Sequence, residues 1–156
     1  MAPEKDELAM VDMELGRIVI REGSEQQFIY LREVHGARGF PIVIGTAEAC
    51  EIRRVVQSIE SERPLTHQLA FEAIRALGGR IQRVEIVDLR HNTFFARLVL
   101  QAGDGEVVVD ARPSDALALA LRARCPVRVA EHVLVDVRND KSGPDALPSG
   151  PAAMPE

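Results

Sequence analysis

The residues best suited to chemistry lie in one short stretch, Asp110–Asp115, which holds two carboxylates, a guanidinium and a hydroxyl. It joins a β-branched run, Val107–Val109, to an apolar run, Ala116–Leu121. The first run predicts a buried strand, and the second predicts a helix that is apolar on every side and therefore buried. Pro113 suits the first turn of that helix, where its missing N–H costs nothing. The stretch therefore predicts charged groups at a strand end and a helix N-terminus, where anion sites and acid–base sites are commonly built.

Hydrolysis of a phosphodiester is the chemistry that these residue types favour. Carboxylates that hold Mg²⁺ or Mn²⁺ can stabilise charge on a phosphate oxygen and activate water. The metal candidates are Asp110 and Asp115, joined by Glu48 and Asp88 if the elements converge. Asp110 and Asp115 are also catalytic candidates, together with His67, which could act as an acid or base near neutral pH. The residues that could bind substrate through a guanidinium fork or a hydroxyl are Arg112, Ser114 and Thr66.

Each candidate also has a structural interpretation. Ser114 or Asp115 can simply cap the helix, which is the commoner role of such residues. None of the spacings is a strong metal signature of the paired Cys/His kind. The other candidates could form an ion pair (Asp110 with Arg112), close a capping turn (His67) or complement a helix dipole (Glu48).

Composition narrows the function classes. The chain has 156 residues, enough for one domain with a real core. A net charge of −5 provides no global basic field for nucleic acid, and the absence of Trp argues against a base-stacking platform. Lysine occurs only at Lys5 and Lys141, so nearly all cationic side chains are arginines. Because the arginine fork matches phosphate geometry, a phosphate-containing ligand stays compatible with the composition.

Cellular context is predicted from the cysteines and the apolar runs. Cys50 and Cys125 lack metal-type spacing, which predicts reduced core thiols in a cytoplasmic protein. The charged Met1–Glu7 segment does not resemble a signal peptide, and no apolar run approaches membrane-spanning length. The sequence therefore predicts no membrane partner.

Hydrophobic periodicity predicts the elements that position these residues. The apolar positions change face near Gly16, which predicts a β-bulge there. Thr46 and Thr66 are predicted N-caps of two helices, and His132–Val137 is predicted to be a further turn or strand. The second helix has one predicted buried stripe, formed by Leu69, Ala70, Ala73, Ile74 and Leu77.

The two halves of the chain repeat one pattern. Strand, strand, glycine turn, strand and helix occur in Met13–Ile59 and again in Val84–Arg124. One sequence offset pairs Phe28 with Phe95 and the Thr46–Ala49 segment with Pro113–Ala116. This predicts an α+β fold: a duplicated strand-strand-strand-helix unit whose mostly antiparallel sheet or sheets pack with about three helices. The predicted domain covers residues 10–137, between a flexible 1–9 segment and a disordered Pro/Gly-rich tail at 138–156.

Several segments resemble the bifunctional nuclease (BFN) domain family, and the resemblance runs from about Met13 to Leu134. The segments are Pro41–Gly45 followed by Glu48-Ala49, Arg63–His67, Val84–Leu89, Thr93–Ala96 and Asp110–Ala116. The resemblance implies an α+β domain in a homo-oligomer, a dimer or trimer, with DNase and RNase activity. Gln68 stands where the family often has Asp, and Phe95 where it often has Tyr. An acid at the first of these positions would help to chelate a metal, and this chain lacks it.

Two classes of function follow. The first is a nuclease that hydrolyses phosphodiester bonds of DNA and RNA with a divalent metal. The second is a non-catalytic regulatory domain in which the same helix N-termini hold an anion or a partner.

Overall fold

The computed structural model describes residues 9–139. In chain order the elements are β1 Met10–Val19, β2 Gln26–Glu33, β3 Gly39–Gly45, α1 Thr46–Val56, α2 Thr66–Ala76, β4 Arg80–Arg90, β5 Thr93–Ala102, β6 Gly105–Ala111, α3 Pro113–Ala123, β7 Val127–Ala130 and α4 Glu131–Asn139. The predicted flexible N-terminus and disordered tail lie outside the described residues, apart from Ala9, Arg138 and Asn139. Within residues 9–139, no helix combines the length and the apolar character needed to cross a membrane.

The seven strands form one sheet in the order β3-β2-β1-β7-β4-β5-β6. Every neighbouring pair is antiparallel except β4 with β7, which is parallel. This confirms the predicted α+β class. The prediction of a turn or strand after β7 was wrong, because Glu131–Asn139 forms a fourth helix. That helix buries Val133 and Leu134, so the apolar residues of this segment form the buried face of an amphipathic helix.

The duplicated unit accounts for the whole sheet apart from its central strand. The first unit forms β3-β2-β1, the second forms β4-β5-β6, and β7 lies between them. The offset that pairs Phe28 with Phe95 also maps Thr46–Val56 onto Pro113–Ala123. The first helical turns of α1 and α3 are therefore equivalent positions of the two units.

The prediction that Val107–Val109 form a buried strand was wrong, because β6 is an edge strand and the three valines are 40–47% exposed. Other local features of the strands agree with their sequence signals. The β1–β2 register shifts between Leu15 and Arg17, which confirms the predicted bulge. His91 and Asn92 both have positive φ, 49° and 60°, as a two-residue hairpin turn between β4 and β5 requires. Pro41 lies in β3, at the edge of the sheet, where its missing N–H breaks no central ladder.

Helix α3 lies at the centre of the molecule. Ala116–Ala120 are all buried, as expected for a helix with no polar side chain in this run. The helix contacts α1 and α2 as well as β3, β4 and β5. Helix α3 is therefore packed on several sides by helices and strands.

The buried face of α2 differs from the predicted stripe. Phe71 and Ile74 are partly buried against the core, whereas Leu69 is 60% exposed and Leu77 is 90% exposed. Ile74 belongs to the predicted stripe, but its other members are exposed. That part of the prediction was wrong because periodicity alone cannot distinguish two apolar faces of one helix. The observed orientation turns His67 toward α3, since residues three to four apart share a helix face.

The orientation of α2 has a consequence for stability. We expect Leu69→Gln to change the free energy of unfolding by less than about 0.5 kcal/mol, because the side chain is already mostly in water. Ile74→Ala is the matched control and should cost about 1–2 kcal/mol, since Ile74 packs on the core. Urea denaturation of both variants measures the difference. A larger loss for Leu69→Gln than for Ile74→Ala would show that Leu69, and not Ile74, lies on the buried face of α2.

Candidate active site

The first turns of α1, α2 and α3 meet at one cluster of charged side chains. His67 is the second residue of α2, and its Nε2 lies 2.8 Å from Oδ1 of Asp115, the third residue of α3. Arg112 precedes α3 and donates from Nη2 to Oε1 of Glu48, the third residue of α1, at 2.9 Å. We call His67, Asp115, Arg112 and Glu48 the acid–base cluster.

Arg112 connects the two carboxylates of the acid–base cluster. Besides its bond to Glu48, it donates from Nε to Oδ2 of Asp115 at 2.9 Å and from Nη2 to Oδ1 at 3.2 Å. Its other terminal nitrogen, Nη1, takes part in no hydrogen bond with the described residues. The Arg112 side chain is 66% exposed, so an anion can reach its guanidinium from solvent.

Asp115 stays ionised and fixes the imidazole. Burial alone would raise the pKa of Asp115, but hydrogen bonds from Arg112 and His67 outweigh burial and hold that pKa below its ordinary value of 3.8. An ionised carboxylate can only accept hydrogen bonds, so Nε2 of His67 carries the hydrogen in this contact. The remaining ring nitrogen, Nδ1, is the one left for proton transfer.

None of the three helices is capped by a side chain. The N-caps are Gly45, Leu65 and Arg112, and none makes a side-chain cap hydrogen bond. Thr46 and Thr66, predicted to be caps, are instead the first residues inside α1 and α2, so both predictions were wrong. The alternative cap, Ser114 or Asp115, was also wrong, because both lie within α3 and Asp115 binds Arg112 and His67. The three helix N-termini therefore keep their positive partial charge.

The acid–base cluster draws on both repeated units. Glu48 and Asp115 occupy equivalent positions, one in each unit, and both accept hydrogen bonds from Arg112. The alignment of Thr46–Ala49 with Pro113–Ala116 already paired these two carboxylates. Their convergence follows from the packing of α1 directly against α3.

Other candidate residues lie outside this cluster. Asp110 is exposed on the edge strand β6, in register with Arg97 of β5. It shares the face of Arg97, opposite to that of Ala96 and Leu98, which belong to the core formed with α3. The alternative ion pair between Asp110 and Arg112 is therefore not formed; Arg112 pairs with Asp115 and Glu48 instead.

Asp88 and Ser114 make no contact with the acid–base cluster that an approaching ligand could use. Asp88 accepts bonds from Leu89 N and Arg90 Nε and lies 3.5 Å from Nε2 of His132. Burial alone would raise the pKa of Asp88, but the hydrogen bonds from Arg90 and the Leu89 amide outweigh burial and lower it overall. Ser114 is among the buried residues of α3. Of the substrate-binding candidates, Arg112 and Thr66 remain exposed on the first turns of helices.

The four carboxylates suggested for a metal do not converge. Glu48 and Asp115 share the guanidinium of Arg112, whereas Asp88 and Asp110 stand elsewhere. Within residues 9–139, no three His, Cys, Asp or Glu side chains form a group able to hold a metal ion. The guanidinium of Arg112 already lies between the carboxylates of Glu48 and Asp115, so these side chains do not fit a resident Mg²⁺ or Mn²⁺.

A charge network centred on the buried Glu51 joins two of the helices that form the acid–base cluster. The carboxylate of Glu51 is 3% exposed, accepts from Nη2 of Arg122 at 2.5 Å and from Nη1 of Arg54 at 3.0 Å, and so ties α1 to α3. Burial raises the pKa of Glu51, but the two arginines outweigh burial and lower it overall. Sequence reasoning missed Glu51; the available signal was its spacing, one helical turn from both Glu48 and Arg54.

The cysteines take no part in the cluster. Cys50 and Cys125 are both free and partly buried. Burial raises the pKa of the Cys125 thiol to about 11, which makes its thiolate scarce and the side chain unreactive. The prediction of core thiols is confirmed for Cys125, which packs against the core, but not for Cys50, which is only partly buried and lies outside the core cluster.

Acid should destabilise the protein through these carboxylates. The pKa values of Asp115 and Glu51 are lower in the folded protein than their ordinary values of 3.8 and 4.5. Their contribution to stability is therefore complete above about pH 5 and is lost as the pH falls through the folded values. Urea denaturation should give a nearly constant unfolding free energy from about pH 7 to 5 and a decline below it. A variant with Asp115→Asn and Glu51→Gln should decline less steeply; the same slope as in the wild type would contradict this origin.

Fold and site together define a class of protein: a duplicated α+β domain with an acid–base and anion-facing cluster at the convergence of three helix N-termini. Comparison with known proteins places it in a family. The bifunctional nuclease domain model matches residues 29–142. The chain belongs to the bifunctional nuclease domain family.

Related proteins differ in how much is known of them. An uncharacterized protein of Mycobacterium tuberculosis is 44% identical over 117 residues, which cover 75% of this chain and 70% of the relative. Bifunctional nuclease 1 of Arabidopsis thaliana is 26% identical over 96 residues, covering 60% of this chain and 30% of that protein. Bifunctional nuclease 2 of Oryza sativa subsp. japonica is 28% identical over 114 residues, covering 70% of this chain and 35% of that protein. The plant nucleases are therefore much longer than the segment that they share with this chain.

Proposed function

We propose that the protein is a nuclease that hydrolyses phosphodiester bonds of DNA and RNA at the acid–base cluster. The observation that carries the proposal is the contact between His67 and Asp115 at uncapped helix N-termini, beside an exposed guanidinium. The plant relatives named bifunctional nucleases support the same activity.

Charge decides which form of His67 binds the phosphate. The carboxylates of Glu48 and Asp115 outnumber the single guanidinium of Arg112 when the imidazole is neutral. Protonation of His67 balances the two acids with two cations, and the three helix N-termini then add positive partial charge. The phosphate therefore binds to the cluster with the imidazole protonated, and His67 acts as a general acid.

The residues divide the reaction between them. Nη1 of Arg112 and the helix N-termini hold nonbridging phosphate oxygens, and Asp115 keeps the imidazole oriented through Nε2. A solvent water attacks phosphorus and releases a proton to solvent, the bond to the leaving oxygen breaks, and Nδ1–H of His67 protonates that oxygen. Because the 2′-hydroxyl takes no part, the same steps serve DNA and RNA.

The divalent metal suggested by the sequence remains a prediction. Since the carboxylates of the described residues do not form a site for a resident ion, the proposed reaction does not use one. A metal required for cleavage would have to bind together with substrate oxygens. The predicted homo-oligomer and cytoplasmic location are likewise predictions, to be checked by sedimentation and by fractionation.

Cleavage of labelled single-stranded DNA and RNA, with Mg²⁺, Mn²⁺ or EDTA, tests the proposed function. We expect Asp115→Asn to lower the rate about 10²-fold, because the imidazole loses its ionised partner. Asp110→Asn is the matched control and should stay within about 2-fold of the wild type, since Asp110 lies outside the cluster. A preparation that binds the strands but never cleaves them would favour the non-catalytic alternative. Equal cleavage by wild type and Asp115→Asn would identify a contaminating nuclease.

A further inference from the structure

A groove lined by arginines lies at the opposite ends of the helices that build the acid–base cluster. It has a volume of about 690 Å³ and runs between the C-terminal ends of α2 and α3 and the start of β4. Arg75, Arg80 and Arg124 line it together with Phe71 and Gln82. We call this depression, with its three arginines, the arginine groove.

Two cations of the arginine groove are not neutralised by neighbouring acids. Arg80 and Arg124 form no ion pair within residues 9–139. Arg75 lies 3.9 Å from Glu72 and 5.6 Å from the centroid of the Phe71 ring, and its side chain is 62% exposed. Three guanidinium groups around one depression, in a chain of net charge −5, form a local site for anions. Guanidinium forks match the geometry of phosphate oxygens.

The backbone at Arg124 gives an independent indication of function. Arg124 has φ 55° and ψ 41°, the left-handed conformation that favours glycine. Gly78, with φ 82°, holds the corresponding position after α2, and the next residues, Cys125 and Gly79, close the same type of hydrogen-bonded turn. An arginine there is less favourable than glycine, because its Cβ lies too close to the following carbonyl oxygen. Stability alone favours glycine at this position, so backbone energetics do not account for the arginine at the edge of the groove.

The arginine groove is aligned with the acid–base cluster. His67 at the start of α2 contacts Asp115 at the start of α3, and the last turns of the same two helices flank the groove. The helices therefore run side by side in the same direction. Each has 11 residues, which corresponds to about 16 Å. A strand of a few nucleotides spans that distance.

We propose that the arginine groove binds backbone phosphates of a single-stranded nucleic acid whose scissile phosphate lies at the acid–base cluster. The proposal rests on the proposed nuclease function and adds a binding subsite to it. Guanidinium groups contact phosphates irrespective of base, so this subsite adds affinity for longer strands without sequence preference.

Fluorescence anisotropy with a labelled, cleavage-resistant phosphorothioate oligonucleotide tests the subsite in the full chain. We expect Arg80→Gln with Arg124→Gly to weaken binding about 10-fold at moderate salt. The dependence of log affinity on log salt should become shallower by about 1.4, because two phosphate contacts of a single strand are lost. Arg124→Gly alone should preserve or raise the melting temperature, since glycine relieves the left-handed backbone.

Arg53→Gln is the matched control, because Arg53 is exposed on α1, outside the groove, and pairs with no described acid. It should leave the salt dependence unchanged. Unaltered affinity and salt dependence in the double variant would overturn the proposal. So would displacement of the strand by low concentrations of inorganic pyrophosphate, which would identify a small phosphate ligand instead.

Cleavage of a dinucleotide, too short to reach the arginine groove, separates this inference from the proposed function. The double variant should cleave it at the wild-type rate. Binding that depends on the groove without any cleavage would contradict only the nuclease activity, whereas cleavage of long strands unaffected by the double variant would contradict only the subsite.

Discussion

Replacement of His67 by Gln should reduce cleavage of single-stranded DNA and RNA about 10³-fold, because the imidazole is the proposed general acid that protonates the leaving oxygen. The glutamine amide can still donate a hydrogen bond to Asp115, which holds the first turns of α2 and α3 together. The melting temperature should therefore remain close to that of the wild type. Initial rates under single-turnover conditions give the comparison.

Chemical rescue distinguishes proton transfer from a structural role of His67. Free imidazole should restore part of the activity of His67→Gly, in proportion to its protonated fraction. A general acid must be protonated to work, so raising the pH should never increase wild-type activity. Full activity in His67→Gln, or activity that rises steadily with pH, would contradict the assigned role.

The second large effect concerns stability. Glu51→Gln should lower the free energy of unfolding by about 2–4 kcal/mol, because removal of the buried carboxylate leaves the guanidinium groups of Arg122 and Arg54 without their counter-charge. Since Glu51 joins α1 to α3, the first turns that form the acid–base cluster should loosen as well. Guanidinium chloride denaturation measures the loss, and hydrogen exchange of the α1 amides shows where it occurs.

Glu72→Gln provides the control for that prediction. Glu72 pairs with Arg75 at 3.9 Å on the exposed side of α2, so its loss should cost less than about 0.5 kcal/mol. Equal effects of the two substitutions would show that Glu51 is not a buried anchor of the helices.

The features predicted correctly from sequence are those with a local cause. The bulge at Gly16 and the buried α3 each follow from a few adjacent residues. The repeat extended that reasoning to longer range, because it placed Glu48 and Asp115 at equivalent positions of two helices that then pack together.

The features that were missed depend on tertiary contacts. Periodicity placed Ile74 correctly on the inner face of α2 but included the exposed Leu69 and Leu77 and omitted Phe71, because both faces carry apolar residues and only tertiary packing selects between them. Asp110 was grouped with Asp115 by sequence proximity, although strand β6 presents its side chain on the face of Arg97. The predicted caps failed for a related reason, since the helices begin one residue earlier or the carboxylate is used by Arg112.

The central claim is that a phosphate group binds at the meeting point of the three helix N-termini, in contact with His67 and Arg112. The most direct measurement is ¹⁵N NMR of the imidazole nitrogens while a phosphorothioate dinucleotide is added to the full-length protein. We predict that the His67 signals move toward the protonated form and that Arg112→Gln abolishes the change. Unchanged His67 signals at saturating dinucleotide would show that phosphate binds elsewhere and would contradict the account.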